Sequence, residues 1–250
     1  MTGLVEREVD ERGIVALTLN RPASRNSLSL SLLTELEEAI GAAAADGTVG
    51  AIVLRGAGPV FCAGADLEEV GRGGRTVEAL LMRLSQVLRR LARAPVPTVA
   101  VVRGAAIGGG FGLVCASDFS ITHAEAKVGY PPVETGLSPA VMAPYLVRLI
   151  GAGRAGAMLL RGGTISGREA QARGIVTELS EARHLEGAAE RLAGSLIGGD
   201  REGTAQMKRL LHRLSDALTD DVLDDAARVS AEVVSGDAAQ GRLGGGRAGD

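Results

Sequence analysis

The sequence is poor in aromatic residues, in cysteine and in long apolar runs. Of its 250 residues three are Phe, two are Tyr and none is Trp, so an apolar core has to come mainly from aliphatic side chains. Cys62 and Cys115 are the only cysteines. Two are too few for a disulfide framework or a zinc site, and the apolar neighbours of each are typical of a buried thiol. The longest uncharged stretch, 104–117, is shorter than the roughly 20 residues that a membrane-spanning helix needs.

Neither sign of charge dominates the chain. The 27 Lys and Arg residues against 30 Asp and Glu residues give a formal net charge of −3. Binding to nucleic acid without sequence preference requires a basic field, which this balance does not supply. The first residues carry acids before any apolar run, unlike a signal peptide. The sequence therefore predicts a cytoplasmic protein that has neither nucleic acid as a partner nor a segment inserted in a membrane.

Glycine, in contrast, is abundant. The chain contains 36 glycines, about twice the share expected from the usual frequency of roughly 7%. There is no Gly-X-Y period, and 46% of the residues are hydrophobic, so collagen-like and disordered classes are excluded in favour of a globular protein. Five of the glycines lie between residues 104 and 112, which singles out this stretch for closer attention.

Apolar periodicity predicts strands that alternate with helices. Strands are predicted over 4–9, 14–19, 51–54, 98–102, 119–122 and 127–128, and one more around Ile175 and Val176. Helices are predicted over 77–91, after the capping residue Ser166, and near 182–197, 204–218 and 220–235. We therefore predict an α/β core over residues 1–200, followed over 201–250 by a helical region that ends in a disordered glycine-rich tail.

Two segments have the composition of an anion-binding backbone. In 61–67 the small residues at 63–65 would let a ligand approach free N–H groups, although a tight turn before a helix capped by Asp66 explains the same residues. In 104–112 three consecutive glycines precede a predicted helix, where unpaired N–H donors meet the positive end of the helix dipole. Close helix packing is the alternative there. The spacing fits neither a P-loop nor a dinucleotide fingerprint.

The order and distances of several motifs make the chain resemble the crotonase family, also called the enoyl-CoA hydratase/isomerase family. The likeness extends from about residue 4 to about residue 240. The residues that carry it are Leu19-Asn20-Arg21-Pro22, Asn26-Ser27-Leu28, the segments 61–67 and 104–112, Val128-Gly129-Tyr130-Pro131, Gly136-Leu137 with Pro139, the segment 165–176 and Lys208-Arg209-Leu210-Leu211.

The resemblance implies a fold and a substrate class. The fold would be a crotonase-like α/β spiral of repeated ββα units, with a C-terminal helical region that mediates trimerisation. The expected assembly is a homotrimer or a dimer of trimers. The substrate would be an acyl-CoA thioester, with CoA as part of the substrate and no separate cofactor.

The same resemblance implies roles for individual residues. The N–H groups of Ala65 and Gly109 would form an oxyanion hole for the thioester enolate. Gly108 and Tyr130 would lie beside the reacting group, although a lone Tyr is more often a packing residue. The residues expected along the CoA path are Ser24, Arg25, Ala63, Asp66 and Leu67. Candidate partners for CoA phosphates are Arg25, Arg72 and Arg75, for which a solvated charge is the alternative.

The chain departs from the family pattern where hydratases carry their acids. Hydratases of the family have two glutamates, and the corresponding positions here are Gly112 and Pro132. Another position that holds a carboxylate in some members is Ala140. Glu134 is the nearest remaining carboxylate, and in an extended segment it would share a face with position 132. We predict that Glu134 acts as the single base of an isomerase; a solvated or salt-bridged carboxylate is the alternative.

These observations lead to two functional hypotheses. The first is an enzyme of the enoyl-CoA hydratase/isomerase family with isomerase-like or atypical chemistry. The second is a non-catalytic subunit that binds acyl-CoA or serves assembly, because both hydratase glutamates are replaced. A protease of a related spiral fold would need a Ser and His pair that the motifs do not supply. No residue cluster predicts a metal site.

Overall fold

The computed structural model describes residues 3–131, 138–236 and 239–242. It opens with the predicted hairpin, in which β1 (Val5–Val9) and β2 (Ile14–Leu19) pair antiparallel. The Asp10 carboxylate closes the turn by accepting hydrogen bonds from the N–H of Arg12 at 2.9 Å and of Ile14 at 2.8 Å. The hairpin prediction is confirmed.

The remaining elements follow in an alternating order. The strands are β3 (Ala51–Gly56), β4 (Thr98–Val102), β5 (Ala105–Ile107), β6 (Phe119–Thr122), β7 (Lys127–Tyr130), β8 (Gly163–Ser166) and β9 (Glu178–Leu179). The helices are α1 (Leu30–Ala45), α2 (Leu67–Val70), α3 (Gly74–Ala92), α4 (Gly109–Ala116), α5 (Ala143–Ile150), α6 (Ala152–Arg161), α7 (Gly167–Ala172), α8 (Leu185–Leu196), α9 (Arg201–Arg213) and α10 (Asp220–Ser235).

The strands form two sheets. The larger has the order β1-β2-β3-β4-β6-β9, and every pair after the hairpin is parallel. Parallel neighbours need crossover connections, which α1 supplies between β2 and β3 and α3 supplies between β3 and β4. The smaller sheet has the order β5-β7-β8. The α/β class is confirmed by this architecture.

Successive strand residues serve the two faces of the larger sheet. On β3, Ile52 and Leu54 belong to the main core under α1 and α3, whereas Ala51 and Val53 pack with α8 on the other face. This alternation follows from the period of two in a strand. Burial on both faces explains why the strands read as continuous apolar runs.

The C-terminal helices pack against the α/β core. Arg89 of α3 forms ion pairs with Asp220, at 2.9 Å, and with Asp224 of α10. On α9, the Lys208 ammonium donates to the carboxylate of Asp118 and, at 3.1 Å, to the carbonyl of Val96. Burial lowers the pKa of Lys208, an effect that the neighbouring Asp118 charge opposes. These contacts attach the C-terminal helices to the core; the boundary at residue 200 stays a prediction.

Some boundary predictions are wrong. Ile175 and Val176 are buried in a bend, where both N–H groups donate to the carbonyl of Ala170, and the strand β9 begins only at Glu178. A short apolar run does not distinguish a strand from a buried turn. The helix predicted over 204–218 starts at Arg201, because Asp200 caps it, and it ends at Arg213.

The strands β5 and β8 were not predicted, because each is short and rich in small residues. Ser166 caps α7 with a complete capping box, as predicted. Gly241 and Arg242, the first residues of the predicted glycine-rich tail, are helical, whereas 243–250 lie outside the described residues. Among the described helices, none is both long enough and apolar enough to cross a membrane.

Candidate active site

A cavity of about 410 Å³ lies between the segment 63–65, the N-terminus of α4 and the helices α3 and α10. Its lining is mostly aliphatic. The lining residues are Ala63, Gly64, Ala65, Leu67, Val70, Val77, Leu81, Leu84, Gly108, Gly109, Tyr130, Pro131, Ser138, Val141, Met142, Val234 and Arg242. An apolar cavity with a few polar groups at its edge is the usual form of a small-molecule site.

One edge of the cavity begins where the segment after β3 pairs with β5. The N–H of Cys62 donates to the carbonyl of Ala105 at 3.1 Å, and the N–H of Ile107 donates to the carbonyl of Cys62 at 3.0 Å. Burial raises the pKa of the Cys62 thiol to about 12. Cys62 is therefore a neutral, structural residue of this pairing.

On its other side the segment pairs with the residues before α1. Leu28 donates its N–H to the carbonyl of Gly64 at 2.7 Å and accepts the N–H of Asp66 at 3.0 Å. Ala65 lies between these two partners in a parallel bridge with Leu28. Because the groups of successive strand residues point to opposite sides, the N–H of Ala65 points away from Leu28.

Two glycines allow the two chain segments to approach closely. Gly64 has φ +97° and Gly108 has φ +54°, a region that side chains rarely adopt. A Cβ atom on Gly108 would lie 3.7 Å from the Cα of Gly64, and one on Gly64 would lie 3.0 Å from the carbonyl oxygen of Ile107. This approach brings Ala65 and the first turn of α4 to the same cavity.

The site carries two backbone donors. Within residues 3–131, 138–236 and 239–242, neither the Ala65 N–H nor the Gly109 N–H has a hydrogen-bond acceptor. Gly109 is the first residue of α4, so its N–H also has no helical acceptor and lies at the positive end of the helix dipole. The two N–H groups can donate hydrogen bonds to a ligand oxygen and stabilise negative charge that develops on it.

Gly112, three residues after Gly109 on α4, packs against apolar side chains. A Cβ atom on Gly112 would lie 3.2 Å from the Cβ of Met142 and 3.4 Å from the Cδ1 of Leu88. Both neighbours are fully or almost fully buried. A carboxylate at this position would therefore displace apolar side chains.

Tyr130 is the polar aromatic residue of the cavity. It ends β7 and is 7% exposed. Burial raises the pKa of its phenol, so the hydroxyl is neutral at physiological pH and able to donate a hydrogen bond. Glu134 and Pro132 lie outside the described residues.

The structure brings together most of the residues singled out in the sequence. Those that line the cavity are Ala63, Ala65, Leu67, Gly108, Gly109 and Tyr130. Ser24, Arg25 and Asp66 are not among its lining residues. The backbone of Arg25 is nevertheless adjacent to it, because its carbonyl accepts the N–H of Ala63 at 3.0 Å. The side chains of Arg25, Arg72 and Arg75 are exposed.

Asp66 has a structural position at the edge of the cavity. It caps α2 by accepting the N–H of Glu68 and pairs with Arg21 at 3.0 Å. Partial burial opposes ionisation, but the hydrogen bonds from Arg21 and Glu68 outweigh it and keep the pKa of Asp66 below its usual range. The helix cap read from the sequence is confirmed.

Sequence reasoning missed two residues of the C-terminal region. Ser230 is fully buried on α10, and its hydroxyl accepts the N–H of Val141 at 2.8 Å, which ties α10 to the cavity wall. A signal was present, since Ser230 interrupts the apolar stripe of α10 between Ala227 and Val234. Arg242 lines the cavity, although its glycine-rich surroundings predict no structure.

No group of three or more His, Cys, Asp or Glu side chains among the described residues is placed to hold a metal ion. Among the described lining residues, the polar side chains are those of Tyr130, Ser138 and Arg242, and the backbone adds N–H donors.

The family model described as enoyl-CoA hydratase/isomerase matches residues 10–243. The chain belongs to this family. A putative enoyl-CoA hydratase of Thermus thermophilus is 38% identical over 175 residues, which cover 68% of this chain and 69% of that protein. The mitochondrial methylglutaconyl-CoA hydratase of Homo sapiens is 34% identical over 189 residues, which cover 74% of this chain and 56% of the human protein.

Solved structures agree with the family assignment. An enoyl-CoA hydratase from Bacillus halodurans superposes with a TM-score of 0.87 at 25% identity, and the match covers 97% of this chain and 100% of that chain. AtuE of Pseudomonas aeruginosa superposes with a TM-score of 0.80 at 36% identity, over 94% and 93% of the two chains. The predicted crotonase-like fold class is confirmed. Members of this enzyme family process acyl-CoA thioesters.

Proposed function

We propose that this protein binds an acyl-CoA thioester and stabilises its enolate with the N–H groups of Ala65 and Gly109. The observation that carries the proposal is the pair of backbone donors, without acceptors among the described residues, at the edge of an apolar cavity. The electron pair released at the α carbon moves to the thioester oxygen, where the two donors meet it. Preorganised donors of this kind contribute about 10²–10³ in rate each.

We propose further that Glu134 is the base, so that the reaction is isomerase-like. Its carboxylate would remove a proton from the α or γ carbon of the thioester and return it to the other of the two. The product would be an isomer of the substrate. Support comes from the described cavity lining, which contains no carboxylate. The family's hydratases carry a glutamate at the position of Gly112, and here Met142 and Leu88 pack against that position. Because no carboxylate is present there, ordinary hydration is disfavoured.

The CoA moiety would lie along the segment that begins at Ala63. The Ser24 and Arg25 backbone and the residues Asp66 and Leu67 are close to that segment in the chain or through the hydrogen bond between Ala63 and Arg25. The exposed guanidinium groups of Arg25, Arg72 and Arg75 are proposed partners for the CoA phosphates. No cofactor other than the CoA of the substrate takes part in this proposal.

Self-association as a homotrimer or a dimer of trimers is also part of the proposal. The helix α9 exposes apolar side chains in a row, a pattern that favours burial against another subunit. The exposed residues are Met207, Leu210 and Leu211, with Leu214 following the helix. Sedimentation equilibrium of the wild type and of a Leu211→Glu variant tests it; an unchanged mass in the variant, or a monomeric wild type, contradicts this assignment.

The proposed chemistry is tested by proton exchange. Incubation with butyryl-CoA in deuterated water should add mass at the α carbon, since enolate formation precedes any product. We expect Glu134→Gln to slow this exchange at least 100-fold, within the usual range of general-base contributions. Glu125→Gln is the matched control, because Glu125 is an exposed carboxylate just before β7.

The second candidate function is a non-catalytic acyl-CoA-binding or assembly subunit. The observation that favours it is the apolar packing behind Gly112. Tight binding of acyl-CoA without any exchange would support this candidate over the enzyme. Failure to bind any acyl-CoA would overturn the enzyme and the acyl-CoA-binding subunit and leave only the assembly role.

A further inference from the structure

The cavity has two chemically different ends, connected by α3. At one end, Leu84 packs beside an oxyanion donor: a Cβ atom on Gly109 would lie 3.2 Å from the Cδ2 of Leu84. Leu81 and Val77 continue the lining along the same helical face. With a rise of 1.5 Å per residue, Val77 lies about 10 Å along the helix axis from Leu84. The apolar lining therefore leads away from the donors toward the N-terminus of α3.

The C-terminal segment 239–242 lies at the other end. A Cβ atom on Gly73, which precedes α3, would lie 3.2 Å from the Oε1 of Gln240. The side-chain amide of Gln240 donates to the carbonyl of Val234 at 2.7 Å. Arg242 follows in the same helical segment; it is exposed and borders the cavity. This places Arg242 near the end of α3 that is remote from Gly109.

Arg242 is the only charged side chain among the described residues that line the cavity. Its guanidinium presents several N–H donors in a planar geometry that matches a carboxylate. Within the described residues, no carboxylate forms an ion pair with it. An aliphatic lining bordered by one arginine suits an alkyl chain that ends in an anion.

We propose that Arg242 receives a carboxylate at the far end of the acyl group, so that the preferred ligands are CoA thioesters of dicarboxylic acids. This inference rests on the proposed function, because it places the thioester carbonyl at Ala65 and Gly109. A CoA phosphate offers similar oxygen chemistry. The carboxylate is favoured because the residues between the two ends are aliphatic, and because a single lining cation is a poor match for a polyphosphate.

The test compares ligands that differ only at the far end. Dissociation constants are measured by isothermal titration calorimetry for adipyl-CoA and hexanoyl-CoA, and for the shorter pair glutaryl-CoA and valeryl-CoA. We expect the wild type to bind at least one dicarboxylic thioester more tightly than its alkyl counterpart. Arg242→Gln should weaken that ligand about tenfold and leave the alkyl thioester unchanged. Arg242→Lys should retain part of the preference.

Arg154→Gln is the matched control, because it removes an exposed guanidinium from α6 and should change neither affinity. Equal weakening of both ligands by Arg242→Gln would assign the contact to the CoA phosphates and overturn the inference. The absence of any preference in the wild type would also overturn it. If the wild type bound none of the four thioesters, the proposed function itself would fail.

Discussion

The two sides of the cavity are built on different principles. On the donor side, main-chain groups of the segment 63–65 and of the α4 N-terminus face the cavity, positioned by pairing with Leu28 and by the close approach of Gly64 and Gly108. On the helical side, α3, α10 and the residues from Val141 contribute aliphatic side chains, with Met142 packed against Gly112.

The two sides of the cavity correspond to two requirements of enolate chemistry, charge stabilisation on oxygen and proton transfer. Backbone donors stabilise charge on oxygen whatever side chains surround them, whereas proton transfer requires a titratable group. In the proposed function the described lining supplies the backbone donors, and it carries no carboxylate for proton transfer. The following experiments probe the two sides of the cavity separately.

The largest effect is expected on the donor side. Ala65→Pro removes one N–H donor that has no acceptor among the described residues. The exchange rate should fall about 10²–10³-fold, measured by deuterium incorporation into butyryl-CoA. Ala65→Gly keeps the N–H and should exchange at nearly the wild-type rate. An unchanged rate in a folded Ala65→Pro variant would remove Ala65 from the oxyanion hole.

On the helical side, Ser230→Ala should loosen the link between α10 and the cavity wall. The buried N–H of Val141 loses its acceptor, which costs about 1–3 kcal/mol in the free energy of unfolding. Urea denaturation measures the change. Ser195→Ala serves as control, because Ser195 is a serine in the last turn of α8 whose hydroxyl bonds only its own helix. Equal stability losses in both variants would argue against a specific role of Ser230.

An acid at position 112 tests whether Met142 leaves room for a side chain there. Gly112→Glu should lower the free energy of unfolding by about 1–3 kcal/mol, because the side chain enters packed space and buries a carboxylate. Met142→Ala alone should also destabilise, because it truncates a fully buried side chain. In a double-mutant cycle the loss in the double variant should be smaller than the sum of the two single losses, because the truncation makes room for the glutamate. Additive losses in urea denaturation would show that Met142 is not the obstacle.

The smallest effect concerns the Asp66 cap beside the donors. The pKa of Asp66 is lower in the folded protein than in the unfolded chain, where an aspartate has a pKa of about 3.9. The ionised carboxylate therefore stabilises the fold at pH values above about 3.9, and this stability is lost as the pH falls through the folded pKa. Arg21→Gln should therefore cost about 1 kcal/mol or less at neutral pH, and the difference from wild type should narrow below about pH 4. Stability curves against pH measure it. In an Asp66→Asn background the narrowing should disappear.

Local patterns predicted most of the elements. The alternation in β1 and β2, the apolar stripe of α3 and the Ser166 cap are signals within a few residues, and the structure confirms each. Ile175 and Val176 were misassigned because an apolar run signals burial but not the type of backbone pairing. The family motifs indicated the donor segments, and the structure brings Ala65 and Gly109 to one cavity.

By itself, the sequence determined the order of strands and helices, the family, and the absence of glutamate at positions 112 and 132. Only the tertiary structure decided that Met142 fills the space beside Gly112 and that Gln240 packs against Gly73, placing Arg242 at the cavity. Such contacts join residues far apart in the chain. Their partners are chosen by how helices pack on the sheet, and no local period or capping signal encodes that choice.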